Sequence, residues 1–164
     1  MNRIAKLIPF VLLFLLAMNC PVRGAEVGEP LPDFSVQTFD GKSFTRAGFA
    51  GKPLLLVFWN TWCVECQRDL PEINRLAREF GPRGLQILAI NTGLNDTESK
   101  ARNYWKKYGY GFPTGFDHNF EIGQAFKVRG VPTVFLVDAK GIVRYKHPLP
   151  PKDMEALFKQ LTGK

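Results

Sequence analysis

The stretch KPLLLVFWN, residues 52–60, constrains this chain more than any other. A run of apolar side chains with no polar alternation has no face to offer water, so it predicts a central strand buried on both sides. A second such run, LQILAIN, extends from Leu85 to Asn91. Between the two, Leu70, Ile73, Leu76, Ala77 and Phe80 recur at helical spacing. Strand, helix and strand in this order predict a βαβ unit with its strands parallel.

The flanking segments complete an α/β domain. FSVQTFDGKSFT turns at Asp40-Gly41 between two short β-like runs and predicts an N-terminal hairpin. Ala101, Tyr104, Trp105 and Tyr108 predict an amphipathic helix behind a cap-like Asn95–Thr97, and a shorter helix is expected over Phe120–Phe126. VPTVFLVDAKGIVRYKH predicts a hairpin turning at Ala139–Gly141, and Met154, Leu157, Phe158 and Leu161 form the apolar stripe of a closing helix. With 164 residues, 45% of them hydrophobic, one core is expected and a second domain is not.

The first 24 residues, MNRIAKLIPFVLLFLLAMNCPVRG, have a short basic start, an apolar stretch from Leu7 to Met18 and then small and polar residues. That pattern resembles a secretory signal peptide, and the apolar stretch is shorter than the about 20 residues of a spanning helix. Val22 and Gly24 stand where cleavage before Ala25 would place small or compact residues, leaving a domain over residues 25–164. Two alternatives remain open, namely lipid attachment at Cys20 and retention of the segment as an anchor. Of the 22 basic side chains behind the formal charge of +7, Arg3, Lys6 and Arg23 belong to this segment, and the rest are scattered. YWKKYGY has the pattern of a solvated helix face, and nucleic acid is not an expected partner.

Removal of Cys20 would leave Cys63 and Cys66, which in an oxidising compartment can close only on each other or on a partner. A loop this short removes little unfolded-state entropy, so redox chemistry is favoured over a structural bridge. Cys63 falls where the buried strand gives way to the helix. Unpaired N–H groups and the helix dipole there stabilise a thiolate, the attacking species in disulfide exchange. Cys66, one turn on, is placed to resolve a mixed disulfide. A zinc site would have to recruit His118 and His147, the two histidines of the chain.

TWCVECQRDLPEINRL after LLLVFW, with RGVPTVFLVDAKG far downstream, resembles the thioredoxin-like proteins, and within them the exported TlpA/ResA branch. The likeness extends over residues 26–162. It implies a thioredoxin-like fold, a central mixed sheet flanked by helices with an N-terminal β hairpin, and an insertion around Gly93–Phe120. It implies Cys63 as nucleophile, Cys66 as resolving cysteine, and a cis Val131-Pro132 bond facing them where a client strand docks. Trp62 would shield the nucleophile and touch the client. Where thioredoxin has a buried aspartate six residues before the first cysteine, this chain has Val57. Where the ResA-like branch has a glutamate three residues after the second cysteine, it has Asp69, one methylene shorter. Asp69 is therefore a candidate for proton handling, with an ordinary first-turn carboxylate as the alternative. Pro71 removes a helical hydrogen bond and predicts a kink beyond the site.

The resemblance implies no cofactor. It implies a periplasmic or otherwise exported monomer that reduces client disulfides in cytochrome c maturation or copper-site assembly, recharged by a membrane thiol reductant. Glu65, between the cysteines, opposes the Cys63 thiolate and favours a reductant. Two other classes compete: a disulfide-forming oxidase, and a copper-binding assembly factor using Cys63, Cys66 and His147. Peroxidase chemistry is not expected, because Thr-Trp-Cys replaces the Thr-Xaa-Xaa-Cys arrangement it uses.

Overall fold

The computed structural model describes residues Gly24–Thr162. The expected signal segment and Cys20 lie outside the described residues. Strands β1 (Ser35–Gln37) and β2 (Ser43–Thr45) pair antiparallel as the expected hairpin, Val36 opposite Phe44, and a 3-10 turn follows over Arg46–Phe49. Then come β3 (Leu54–Trp59), α1 (Val64–Phe80), β4 (Gln86–Asn91), α2 (Glu98–Tyr108), β5 (Thr114–Phe116) and α3 (Glu121–Ala125). Strands β6 (Thr133–Val137) and β7 (Val143–His147) and helix α4 (Met154–Thr162) complete the chain.

The main sheet has the order β5-β4-β3-β6-β7. The β3–β4 and β4–β5 pairs are parallel, and the β3–β6 and β6–β7 pairs antiparallel. Every residue of β3 is buried, as the unbroken apolar run requires of a strand covered on both faces. Its side chains divide between two cores by strand alternation. Leu55, Val57 and Trp59 meet Leu70, Ile73, Leu76 and Phe80 of α1, Trp105 of α2 and Phe158 of α4. Leu54, Leu56 and Phe58 meet Phe34, Phe49 and Phe126 on the other face.

Local signals place the ends of the elements. The Thr97 hydroxyl accepts the N–H of Lys100 and caps α2, and Gly109 ends that helix with φ +61°, a conformation glycine adopts without penalty. The β6–β7 hairpin turns through Gly141, and Asp138 accepts the N–H groups of Lys140 and Ile142 and pairs with Arg144 at 2.7 Å. Burial opposes the ionisation of Asp138, yet those N–H groups and the Arg144 guanidinium hold its carboxyl below the ordinary value. Helix α3 is one residue shorter at each end than the expected span. Helix α1 runs through Pro71 as one element, with its polar face tied by the Glu72–Arg75–Glu79 ion pairs.

The insertion differs from its expected form. Besides α2 it contains β5, which extends the sheet beside β4 and is bridged on its outer edge to the hairpin at Thr38. Gly115 of β5 permits that contact, since a Cβ there would lie 2.4 Å from Val36 Cγ2 and 2.8 Å from the Gln37 carbonyl oxygen. No helix among the described residues is long and apolar enough to cross a membrane.

Candidate functional site

The site lies at the carboxyl ends of β3 and β4, the side of a parallel sheet where backbone termini and loops form a crevice. After Trp59 the chain leaves the sheet through Asn60–Trp62 and enters α1, with Cys63 as its N-cap. Cys63 Sγ accepts the N–H of Cys66 at 3.1 Å, so the sulfur occupies the place where a helix N-terminus favours negative charge. Cys63 and Cys66 are joined as a disulfide, with their Cα atoms 5.2 Å apart. Cys66 is 1% exposed and Cys63 5% exposed, so Cys63 is the less buried of the two.

Opposite the pair lies the loop before β6. The Val131-Pro132 peptide is cis, and the Val131 carbonyl oxygen is 3.5 Å from Cys63 Sγ. Trp62 projects from the other side, half exposed, and its indole N–H donates to the Leu94 carbonyl at 2.9 Å. Val64 and Leu94 are exposed beside it in the same neighbourhood of the chain, giving the rim an apolar character. The four positions singled out around the cysteines, Trp62, Val131, Pro132 and Asp69, thus all fall at one end of the sheet.

Beside Cys66 is a small pocket lined by Val57, Trp59, Asp69, Leu70, Ile73, Pro132, Val134 and Pro150. Asp69 reaches into it. Its Oδ1 is 3.5 Å from Arg68 Nε, whereas Oδ2 is buried and has no hydrogen-bond partner. A buried carboxylate oxygen without a donor is unfavourable unless a proton or a transient partner satisfies it. The side chain is 16% exposed, with one oxygen toward the exposed Arg68 and the other shut away.

Glu65 differs from its expected role. It is bonded to Arg68 one helical turn away, a pairing that three-residue spacing on a helix allows. Its charge is thereby offset, and both side chains are exposed, so its pull on Cys63 is weaker than the sequence suggests.

A polar network escaped sequence reasoning. Asn60 and Asn91 are fully buried at the ends of β3 and β4, beside Thr92. The Thr92 hydroxyl donates to Asn60 Oδ1 at 2.6 Å, and Asn60 Nδ2 donates to the Leu94 carbonyl at 3.2 Å and to Asn91 Oδ1 at 3.3 Å. Asp96 then accepts from Thr61 N–H at 2.7 Å, the Thr61 hydroxyl at 2.8 Å, Asn91 Nδ2 at 2.8 Å and Thr97 N–H at 2.9 Å. Burial works against its ionisation, but these bonds win and hold its carboxyl below the ordinary value. The signal available in the sequence was a polar residue closing each of two adjacent buried strands.

The histidines stand apart from any metal-binding arrangement. His147 Nδ1 accepts the N–H of Leu149, and the exposed His118 faces Glu98 at 3.5 Å. Among the described residues no group of three or more His, Cys, Asp or Glu side chains could hold a metal ion. The copper-binding alternative therefore lacks a third ligand at the cysteines within those residues.

The AhpC/TSA family model matches residues 27–146. The thiol-disulfide oxidoreductase ResA of Bacillus thuringiensis is 32% identical over 139 residues, covering 84% of this chain and 79% of its own. A thio-disulfide isomerase from Thermus thermophilus superposes with a TM-score of 0.68 at 33% identity, over 83% of this chain and 94% of its own. A protein assigned as the thiol:disulfide interchange protein DsbE of Chlorobium tepidum gives a TM-score of 0.74 at 27% identity, over 85% and 98%. With a Cys-Xaa-Xaa-Cys disulfide at the head of α1 and relatives of this kind, the chain belongs to the AhpC/TSA family and, within it, to the thioredoxin-like thiol-disulfide oxidoreductases of the ResA type.

Proposed function

We propose that this protein is an exported reductant that passes two electrons to the disulfides of client proteins. The observation that carries the reading is the setting of Cys63: the sulfur caps α1, accepts the Cys66 N–H and faces the Val131 carbonyl beside an apolar rim. In the dithiol form the Cys63 thiolate attacks one sulfur of a client disulfide. The client S–S bond breaks, a mixed disulfide forms, and the departing client thiolate takes up a proton. Cys66 then loses its proton and attacks Cys63 Sγ, which frees the second client thiol and closes the Cys63–Cys66 disulfide. The client gains two electrons and two protons, and the enzyme must be reduced again by a thiol donor.

Asp69 is the proposed acceptor of the Cys66 proton. Asp69, with its unpartnered Oδ2, lines the same small pocket as Cys66 and Val57, so α1 brings a carboxylate to the side of the resolving cysteine where the strand supplies only an apolar side chain. Trp62 and the Val131-Pro132 segment would form the two walls of the client groove. Clients in cytochrome c maturation or copper-site assembly, a membrane thiol reductant as donor, and an N-terminal segment that directs export follow from the resemblance to the TlpA/ResA branch and are proposed on that ground. The ResA and DsbE relatives support the thiol-disulfide exchange itself.

Trapping tests the reading. With Cys66→Ser the second attack cannot occur, so mixed disulfides through Cys63 are expected to accumulate in cells. Reducing-sensitive adducts should then be identifiable by mass as secreted proteins with cysteine pairs. Absence of adducts in cells that contain the folded variant would contradict a cycling Cys63.

A further inference from the structure

We propose that Asp96 is a positioning residue for Cys63: through Thr61 it fixes the turn that carries the nucleophile, and it sets beside that turn a carboxylate with no cation bonded to it. The proposal rests on the reading of Cys63 as the attacking thiolate.

The turn Asn60–Cys63 is held from three directions. The Cys63 N–H donates back to the Asn60 carbonyl at 3.3 Å, Gln67 Nε2 donates to the Thr61 carbonyl at 2.7 Å, and Asp96 receives both the N–H and the hydroxyl of Thr61. Each oxygen of Asp96 accepts two bonds. Oδ1 takes the Thr61 hydroxyl and the Thr97 N–H, and Oδ2 takes the Thr61 N–H and Asn91 Nδ2. An asparagine amide cannot reproduce this, because its NH2 group must face at least one of these donors. All four donors are neutral, so they stabilise the ionised carboxylate without cancelling its negative charge.

Two other carboxylates near the cysteines have a cationic partner. Glu65 is bonded to Arg68, and Asp69 Oδ1 approaches the same guanidinium from the side of Cys66. The cation Arg129 precedes Val131 by two residues in the chain and contributes only the last of several weak attractions on Glu26. Two residues of extended chain span about 7 Å, so a carboxylate bonded to Thr61 lies within about 10 Å of Cys63. That is about one Debye length at 0.1 M salt, near enough for a part-buried charge to act. A fixed negative charge there disfavours the Cys63 thiolate and so counteracts the helix terminus that favours it. Asp96 thus takes over the role that the sequence assigned to Glu65.

The test is the ionisation of Cys63 itself, read from the pH dependence of iodoacetamide alkylation of the reduced full-length Cys66→Ser protein, quantified on the Cys63 peptide by mass. This measurement needs no client and no turnover, so it is independent of whether the reductase reading holds. Asp96→Asn is expected to raise the acid ionisation constant of Cys63 about tenfold at low ionic strength, with the increase shrinking in 1 M salt. Asp96→Glu, which keeps the charge, should stay close to the unaltered protein, and Glu65→Gln should move the constant less than Asp96→Asn. Should Asp96→Asn fail to fold by circular dichroism, the protein with Asp96 intact decides the matter: added salt should raise the Cys63 ionisation constant as the repulsion is screened. An unchanged constant in folded Asp96→Asn, an equal shift in Glu65→Gln, or a constant that falls with salt would overturn the proposal.

Discussion

Replacing Cys63 by serine is expected to reduce the insulin-disulfide reductase activity of this protein, with dithiothreitol as donor, to the uncatalysed background. The attacking species in exchange is a thiolate, and a serine hydroxyl at a helix N-terminus does not supply one at neutral pH. Cys66 cannot take over the attack, because it is 1% exposed and lies among Leu70, Ile73 and Pro132. The measurement is the rate of insulin precipitation with the variant against the unaltered protein. Activity in folded Cys63→Ser above a few per cent of the original would show that the site lies elsewhere.

Phe126→Ala is expected to lower the unfolding free energy by about 3–5 kcal/mol, the range for deleting a fully buried phenylalanine side chain. Phe126 is 0% exposed, and its ring lies 5.6 Å from Phe34, 5.4 Å from Phe58 and 5.7 Å from Phe135, centroid to centroid. Four aromatic rings from the N-terminal segment, β3, the end of α3 and β6 therefore converge on one point. Removing the central one leaves a cavity that the sheet, pinned by β3 and β6, cannot close. A loss of this size is a large share of the 5–15 kcal/mol typical of a single domain. Urea unfolding monitored by circular dichroism gives the value, and a loss below about 1 kcal/mol would show that the second core is not packed as described. Because Phe126 sits on the sheet face away from the cysteines, alkylation of Cys63 in the folded variant should proceed as before.

The elements that could be read from the amino-acid order are those whose signal is local and long. The apolar run ending at Trp59 and the helical spacing from Leu70 to Phe80 each state one requirement over many residues, and both were met by β3 and α1. Strand β5 has no such signal. Its three residues, between Pro113 and Asp117, are held in extended form by pairing with β4, so tertiary contact decides what propensity leaves open. The Asp96 network depends on register: it forms because Trp59 stands opposite Asn91, which brings Asn60 and Thr61 to residues 31 to 35 positions further along the chain. No spacing rule within one element anticipates that. The Glu65–Arg68 pair, by contrast, follows from helical spacing, which puts a cation one turn from the charge between the cysteines. Asp69 lies between these cases. Its position three residues after Cys66 was visible, but only the packing of α1 against β3 shows that one oxygen is shut away from water.

Whether the Cys63–Cys66 pair donates electrons is decided by its reduction potential. A negative charge near the nucleophile keeps the thiolate from being strongly stabilised, and a couple whose reduced form is not strongly stabilised is a reducing one. Equilibration of the full-length protein with glutathione buffers of graded ratio, followed by alkylation and mass measurement of the two cysteines, gives the potential. The expected value is nearer that of thioredoxin, about −270 mV, than that of the strong oxidant DsbA, about −120 mV. A value at the oxidant end would contradict the assignment as a reductant.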